Sequence, residues 1–354
     1  MDITTVADLA LGNLTSPPVL AFVFGVLVVA LLKSDLRLPA TVTQVISVYL
    51  LLAIGLKGGV ALRGADISDL IGPAMAAVGL GCGIPLLAFA ALRWLTRLGA
   101  VDRGALAAHY GSTSLVTFTA AIAMLEVAKI PFDGYVATLL TIMEVPGIIV
   151  GLLLARHALD RSGVPARTLS RVGVGPGADS LIDGGEPGTP QRTDWPKTLR
   201  EVLTGPSVLV LVGGLVIGAI TGPTGYSAIE PMFGALFTGV LTIYLLHLGC
   251  VAGERLRDVR AAGPGLIAFA IGFPVIAGIA GVFAGSFTGM STGGAVILGV
   301  LCASASYIAA PAAVTLALPQ ANTGLCLTAS LGVTFPFNLV FGIPMLAVIA
   351  QAVT

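Results

Sequence analysis

The stretch AAHYGSTSLVTFTAAIAMLE, residues 107–126, places a polar tract inside a long apolar segment. Its tract HYGSTS (109–114) combines glycine with hydroxyl side chains, and both weaken a helix locally. A second tract, SASY (304–307), stands in a similar apolar segment and is followed by Pro311, which lacks the amide needed to complete a helical turn. We therefore predict two interrupted helices, one in each half of the chain.

The two tracts belong to a wider duplication. A shift of 190 positions superposes identical residues in the same order along both halves: Gly104 on Gly294, Ser114 on Ser304, Thr138 on Thr328, and Pro146 on Pro336. Residues 17–157 and 206–351 therefore look like two copies of one unit. An internal duplication inside a membrane is typical of secondary transporters, whose substrate site lies where the repeats meet.

The composition places the chain in a membrane. Hydrophobic residues make up 56% of its 354 residues and charged residues 10%, and the mean hydropathy is +0.99. Ten apolar runs are long enough to cross the bilayer, five in each copy: roughly 17–32, 39–62, 70–95, 104–126, 134–156, 206–221, 232–253, 264–288, 294–317 and 324–350. Continuous apolar runs need helices, which satisfy their own backbone groups, so we predict an all-α membrane protein.

The basic residues predict the orientation. Fifteen lysines and arginines follow the predicted spans 1, 3, 5 and 7, whereas the opposite loops hold only Arg63 and Lys129. Because basic loops stay in the cytoplasm, both termini are expected outside and the long connection between the copies inside. Each copy has an odd number of spans, so the second copy is expected to be inverted relative to the first.

We expect three regions: an N-terminal five-helix repeat (1–157), a flexible cytoplasmic linker (158–205) and a C-terminal inverted five-helix repeat (206–354). The linker is rich in glycine, proline and charge, so it cannot bury enough apolar surface to order itself. It serves either as a tether between the halves or as a docking site for a regulatory protein. The first 16 residues lack a basic n-region and are not expected to form a cleavable signal peptide.

The interrupted helices provide a candidate ion site. If both helices unwind and cross, their half-helix N-termini aim unpaired amides at one point, where the partial positive charge suits a small anion. Freed carbonyl and hydroxyl oxygens nearby suit a hard cation such as sodium. The alternative is that serine and threonine bond within straight helices and help them to pack closely. Recurrence of the tract at repeat-equivalent positions favours the ion site.

Glu144 stands in the middle of predicted span 5, where a carboxylate is costly and marks a functional candidate. Three roles stay open: binding sodium, carrying a coupling proton, or pairing with Lys57 or His109. Asn338, in the last span, offers one more oxygen. The candidate sodium ligands are Thr117, Glu144, Ser306 and Asn338.

The remaining polar residues have plainer interpretations. Lys57 is expected to extend to the outer interface, with anion attraction at an entry vestibule as the alternative. Glu126 is expected in solvent, and His247 as a hydrogen-bonded packing residue. The four cysteines lie in apolar spans without ligand spacing and are interpreted as core residues. Because the net charge is zero and no catalytic motif occurs, neither a nucleic-acid partner, nor an enzyme, nor a cofactor is expected.

Four strings carry a resemblance to a known family: LLAIGLKGGVALRGADI (51–67), AAHYGSTSLVTFTAAIAMLE (107–126), SASYIAAPAAVTLALPQAN (304–322) and TASLGVTFPFNLVFGIP (328–344). They resemble the sodium-dependent bicarbonate transporter family first known from cyanobacteria, across nearly the whole chain apart from the linker. The resemblance implies a sodium-coupled bicarbonate importer with ten helices in two inverted repeats, assembled as a homotrimer. It also implies a PII-like trimeric protein as a regulator on the cytoplasmic side.

The resemblance carries the family's anion site onto the two tracts by position: Gly111, Ser112, Thr113, Ser114, Ser304, Ala305, Ser306 and Tyr307. One departure stands out, because the cyanobacterial transporters have Ser-Ser-Asp where this chain has Ala305-Ser306-Tyr307. Loss of that carboxylate would move or remove the sodium site, and Tyr307 would reshape the anion pocket.

We therefore expect a multi-pass symporter of the bacterial inner (plasma) membrane that imports bicarbonate with sodium by alternating access. Two alternatives keep the fold: transport of another small anion, such as sulfate or a short carboxylate, or proton coupling through Glu144. A third is a non-transporting membrane receptor or scaffold with the linker as its working part. A channel fits less well, because duplicated broken helices suit a closed midplane site better than an open pore.

Overall fold

A computed structural model of the protein describes residues 12, 15–36, 38–64, 67–162, 200, 204, 206–318 and 320–354. The described residues are helical and include no strand. Eight of their helices are long and apolar enough to cross a membrane, and two shorter apolar helices accompany them. The predicted all-α membrane protein is confirmed at this level. Ten membrane crossings and an inverted second half stay predictions.

Among the described residues, the first half of the chain contributes six helices and the second half another six, short π-helical stretches aside. They are α1 (Pro17–Leu32), α2 (Ala40–Arg63), α3 (Ile67–Leu95), α4 (Ala100–Gly111), α5 (Leu115–Val127), α6 (Val136–Ser162), α7 (Pro206–Ser227), α8 (Phe237–Ala261), α9 (Pro264–Phe287), α10 (Thr292–Ala303), α11 (Ala309–Ala317) and α12 (Thr323–Val353). A short π-helix (Pro231–Ala235) precedes α8, and α12 contains two π-helical turns, Thr328–Thr334 and Asn338–Gly342. Each of the turns in α12 is followed within two residues by a proline, Pro336 or Pro344, whose missing amide favours local rewinding.

The predicted spans 4 and 9 are each split in two. The first becomes α4 and α5, and the second becomes α10 and α11. Helix α6 continues to Ser162, beyond the predicted repeat boundary at 157, because a helix satisfies its own backbone and need not stop where the membrane does. Most of the predicted linker (158–205) lies outside the described residues, as does most of the segment before Ser16.

Four helices form a unit that we call the frame: α1, α2, α7 and α8. Helix α1 packs along α8, and α2 packs along α7. Glycines make the second contact close, because a Cβ built on Gly59 would lie 2.1 Å from the Leu215 carbonyl oxygen and one on Gly218 would lie 2.2 Å from that of Leu56. Backbones in such contact gain packing without large side chains, as is common between membrane helices.

The other eight helices form a second unit, which we call the bundle. Contacts within it recur in matching pairs: α3 with α6 and α9 with α12, then α4 with α6 and α10 with α12. Helices α4, α5 and α10 are the most completely enclosed, and most of their residues are buried. The frame is more open, and α1, which has only 16 residues, exposes Leu20, Phe24 and Leu31 along its outer side.

Candidate functional site

Helix α4 ends at Gly111 because α6 crosses it at another glycine. A Cβ on Gly147 would lie 1.8 Å from the Gly111 carbonyl oxygen and 2.8 Å from the Ser112 amide nitrogen. The two backbones are therefore in direct contact, and only glycine leaves room for it. At Ser112 the chain turns to an extended conformation (φ −87°, ψ 144°), which interrupts the helix.

The chain re-enters a helix through Ser114, which caps α5. Its Oγ accepts hydrogen bonds from the amide of Thr117 at 3.3 Å and from the Thr117 hydroxyl at 3.0 Å. Such a cap satisfies one of the amides that a helix start leaves without an intrahelical acceptor. The Thr117 hydroxyl is thus occupied in holding the cap.

The second break repeats this arrangement. Helix α10 ends at Ala303, and Ser304 is extended (φ −86°, ψ 162°). Beyond it, Ser306 Oγ accepts a 3.2 Å hydrogen bond from the amide of Ala310 in the first turn of α11. A serine therefore accepts a hydrogen bond from a first-turn amide of the helix that follows each break.

The two breaks are bonded directly to each other. The Ser114 amide donates to Ser304 Oγ at 2.9 Å, and the Ser306 amide donates to the His109 carbonyl oxygen at 2.7 Å. Ser304 Oγ in turn donates to the Leu301 carbonyl oxygen at 2.8 Å. The predicted meeting of the polar tracts is therefore present in the structure, and backbone groups released by each break find partners in the other.

A small cavity lies beside this junction. Its lining residues are Leu51, Thr113, Ser114, Leu115, Leu140, Glu144, Ser306, Tyr307, Ile308 and Ala309. The free space at its centre is about 20 Å³, room for a water molecule or a small ion and too little for a large organic substrate. Leu51 comes from the frame and the other lining residues from the bundle, so the cavity lies where the two units meet.

Both re-entering helices begin at this cavity. Leu115, the first residue of α5, and Ala309, the first residue of α11, line it. First-turn amides that no cap satisfies have no acceptor within their helix, and the helix dipole adds partial positive charge there. Two helix starts facing one small cavity favour the binding of an anion.

Glu144 also lines the cavity and is 7% exposed. Among the described residues, its carboxylate takes part in no hydrogen bond or ion pair. Its two proposed partners are engaged elsewhere: Lys57 Nζ lies 3.3 Å from Glu126 Oε1, and His109 Nδ1 lies 2.8 Å from the Ala105 carbonyl oxygen. The pairing of Glu144 with Lys57 or His109, one of the three roles left open, is thus not formed, and Glu126 is a half-exposed ion-pair partner rather than a purely solvated residue.

The structure divides the sequence-predicted site residues into two groups. Those in the cavity lining are Thr113, Ser114, Glu144, Ser306 and Tyr307. Those outside the lining are Gly111, Ser112, Thr117, Ser304, Ala305 and Asn338, all of which are buried. Within the second group, Gly111, Thr117 and Ser304 build the breaks described above.

Asn338 is buried in a π-helical turn of α12. Its Nδ2 donates to the Ala303 carbonyl oxygen at 2.7 Å, at the point where α10 ends, and its Oδ1 has no hydrogen-bond partner. It therefore stabilises the end of a broken helix. Its position is at the back of the junction rather than in the cavity.

Sequence reasoning missed the apolar part of the lining. Leu51 and Leu140 are leucines in apolar helices, and Ile308 and Ala309 follow the second tract, so none of them carries a local signal. Their contact depends on how helices distant in sequence pack. The duplication was the one usable signal, because it placed the two tracts together but not their neighbours.

His247 and the four cysteines lie outside the cavity lining. The Leu38 amide donates to His247 Nδ1 at 3.3 Å, which confirms the predicted packing role of that histidine. All four cysteines are free, and Cys250, Cys302 and Cys326 are buried. Within the described ranges, no group of three or more histidine, cysteine or acidic residues is placed to hold a metal ion.

Comparison with known proteins assigns the chain to a family. No curated protein matches the chain significantly. One family model does match it, over residues 17–351, and the family is described as the Na⁺-dependent bicarbonate transporter superfamily. This is a family of transporters and not of enzymes. Since the match covers nearly the entire sequence, the chain belongs to the Na⁺-dependent bicarbonate transporter superfamily.

Proposed function

We propose that the protein imports bicarbonate together with sodium and that both ions bind at the cavity between α5, α6 and α11, which has to widen to hold the two together. The observation that carries this proposal is the meeting of two helix starts and one unpaired carboxylate, Glu144, at a single buried space. The helix starts favour an anion, and the carboxylate with hydroxyl oxygens favours a hard cation. One cavity thus has the chemistry for both ions.

Bicarbonate would bind against the first turns of α5 and α11. Leu115 and Ala309, the first residues of these helices, line the cavity together with Thr113 and Ser114, whose side chains carry hydroxyl groups. Desolvating a small anion is costly, so several donors have to replace its lost water. Helix starts supply them without a basic side chain, in agreement with a lining that has no lysine or arginine.

Sodium would bind at Glu144 and Ser306, the two predicted sodium ligands that line the cavity. Tyr307 occupies the position where the cyanobacterial transporters have an aspartate, so Glu144 is the carboxylate left to hold the cation in this chain. A cation beside the anion also removes repulsion. Two like charges about 4 Å apart repel by about 4 kcal/mol at an effective dielectric constant of about 20.

For the architecture, we propose ten spans in two inverted five-helix repeats that work by alternating access. The matching helix pairs of the two halves support a two-fold relation. The five spans of the first repeat are then α1, α2, α3, the pair α4 and α5, and α6. Those of the second repeat are α7, α8, α9, the pair α10 and α11, and α12. Because the cavity lies between frame and bundle, a displacement of the bundle against the frame would move Leu51 away and open it.

The surroundings of the protein follow from family and charge distribution. We propose the bacterial inner membrane, with both termini outside and the 158–205 linker in the cytoplasm. A homotrimer held together through the frame, and a PII-like regulatory protein on the cytoplasmic side, are proposed on the family resemblance. The linker is not needed for transport in this scheme, so deleting residues 165–190 should leave uptake intact, whereas a receptor or scaffold would lose its activity.

The test is uptake of ¹⁴C-bicarbonate into proteoliposomes, with an inward sodium gradient compared with matched choline. Sodium-dependent uptake by the wild type would support cargo and coupling ion, and its loss in the double variant Ser114→Ala, Ser304→Ala would show that uptake needs the junction beside the cavity. Folded, inserted protein that takes up no bicarbonate in sodium would refute the proposed cargo.

A second cargo is worth testing for a specific reason. Tyr307 lines the cavity where the family's aspartate would stand, and its ring packs edge-on against Phe335 with centroids 5.5 Å apart. A lining with tyrosine instead of aspartate favours a different anion from that of the cyanobacterial transporters. Competition of bicarbonate uptake by sulfate and by short carboxylates distinguishes these cargoes, and uptake driven by a proton gradient without sodium would point to the proton as the coupling ion.

A further inference from the structure

The negative charge of Glu144 lies in a cavity whose two helix starts favour an anion. The cavity attracts anions through two helix starts, yet its one charged lining residue is itself an anion. No cationic side chain among the described residues relieves this charge, because Lys57 is paired with Glu126 and the lining contains neither lysine nor arginine. An anionic substrate entering the empty cavity would meet an unpaired carboxylate.

We infer that Glu144 makes binding of the anion conditional on prior binding of the cation. The inference rests on the proposed function and specifies its order: the cation neutralises Glu144 first, and the anion then binds the helix starts. Without the cation, Glu144 repels the anion from a site that is otherwise built for it. Its role is therefore to couple the two ions and not only to hold one of them.

The burial of Glu144 and the small size of the cavity strengthen the repulsion between its carboxylate and a bound anion. Glu144 is 7% exposed, so solvent does little to screen its charge from an ion in the same cavity. The cavity has about 20 Å³ of free space, so an anion inside it cannot move far from the carboxylate. Both conditions strengthen the interaction between the two charges.

Glu144→Gln separates the charge from the shape of the side chain. It keeps the size and removes the repulsion, so the anion is expected to bind whether or not sodium is present. Allosteric coupling between two ligands is reciprocal, and here a change of about tenfold or more in anion affinity on adding sodium is expected for the wild type and near none for the variant. Glu144→Asp keeps the charge and should keep the dependence on sodium.

The experiment measures the unfolding temperature of the purified protein with and without bicarbonate, in sodium chloride and in choline chloride of equal ionic strength. A ligand that binds the folded state raises this temperature. Bicarbonate should stabilise the wild type in sodium alone, and should stabilise Glu144→Gln equally in both salts. Exchange of ¹⁴C-bicarbonate across proteoliposomes with equal salts on both sides should follow the same pattern.

The outcomes separate the inference from the proposed function. If bicarbonate stabilises Glu144→Gln in sodium only, as in the wild type, the inference is wrong while the proposed function stands. If bicarbonate stabilises the wild type in neither salt, the proposed cargo is wrong. If folded Glu144→Gln binds bicarbonate in neither salt, the carboxylate is needed for something other than charge and the inference is overturned.

Two further variants keep the test decisive. Should Glu144→Gln fail to fold, Glu144→Thr tests the same loss of charge with the residue found at the repeat-equivalent position, Thr334. Glu126→Gln is the matched control, because Glu126 is a half-exposed acid paired with Lys57 away from the cavity. It should leave the dependence of bicarbonate binding on sodium unchanged.

Discussion

The amide of Ser114 donates a 2.9 Å hydrogen bond to Oγ of Ser304, the residue 190 positions later in the chain. The two serines are equivalents in the duplicated sequence, yet they act differently, one through its backbone and the other through its side chain. This bond joins the two helix breaks, and Ser304 is fully buried. The junction therefore depends on a side chain that solvent does not reach.

Replacing that side chain should weaken the junction. Ser304→Ala leaves the Ser114 amide buried without an acceptor, which costs about 1–3 kcal/mol. We expect a lower unfolding temperature in detergent and lower bicarbonate uptake. Ser330→Ala is the control, because the Ser330 hydroxyl is equally buried and bonds only to the Cys326 carbonyl oxygen of its own helix. Equal effects of the two changes would contradict the proposed importance of the junction.

The contact between α4 and α6 should not tolerate a methyl group. In Gly147→Ala the new Cβ would meet backbone atoms of Gly111 and Ser112, which cannot move aside as a flexible side chain would. Overpacking of this kind costs about 1–3 kcal/mol or more and should displace the first break, so uptake is expected to be lost. Gly83→Ala in α3 is the control, since a Cβ there meets nothing within 4 Å.

Retained uptake in folded Gly147→Ala would show that the break does not need its present position. A loss in Gly83→Ala of the same size would show a general effect of removing glycine from these helices. The two variants have to be compared at equal amounts of inserted protein.

Thr334 donates a hydrogen bond to a carbonyl oxygen that a proline in α9 leaves without its helical donor. Pro274 has no amide to donate to the Ala270 carbonyl oxygen, and the Thr334 hydroxyl donates to it at 2.7 Å instead. Because Thr334 is the donor there, it accepts from the Tyr110 hydroxyl, whose oxygen lies 2.6 Å away. Thr334→Val removes both bonds at nearly constant volume, and each group left unpaired costs about 1–3 kcal/mol.

Tyr110→Phe removes only one bond of this chain and leaves Ala270 satisfied. It should cost about 0.5–1.5 kcal/mol, less than Thr334→Val. Unfolding temperatures in detergent give the order. A greater loss in Tyr110→Phe than in Thr334→Val would contradict the assignment of Thr334 as the donor to Ala270.

The ion pair between Lys57 and Glu126 should matter little. Its side chains are 34% and 40% exposed, and exposed pairs contribute about 0–1 kcal/mol. Lys57→Met should therefore change stability slightly and leave uptake near the wild-type level at both low and high salt. A deficit in uptake relative to the wild type that is present in low salt and disappears in high salt would instead support anion attraction by Lys57 at an entry vestibule.

The polar part of the site could be predicted because polar groups are costly in an apolar helix. HYGSTS and SASY are visible against leucine and valine, and their shared spacing predicted that they would meet. The directions of side chains could not be predicted in the same way. The Thr117 hydroxyl is engaged with the cap at Ser114, whereas Asn338 donates its Nδ2 to the end of α10 and lies outside the cavity lining.

The apolar and long-range parts of the fold needed the structure. Leu51 contributes to the cavity only because α2 of the frame passes the bundle there, and a leucine in a membrane helix gives no hint of this. Lys57 and Glu126 lie 69 positions apart, and their pairing depends on how α2 and α5 are arranged. Sequence periodicity reports on one helix at a time, whereas these contacts belong to pairs of helices.

Helix α1 has only 16 residues, so it is about 24 Å long. A typical hydrocarbon layer is about 30 Å thick, and α1 exposes leucine and phenylalanine along its outer side. Lipids beside α1 therefore have to shorten or tilt their chains, which costs fractions of a kcal/mol per ångström of mismatch. Within the frame this mismatch is confined to α1, because α2, α7 and α8 have 24, 22 and 25 residues, and acyl-chain length beside α1 becomes a physical variable of this transporter.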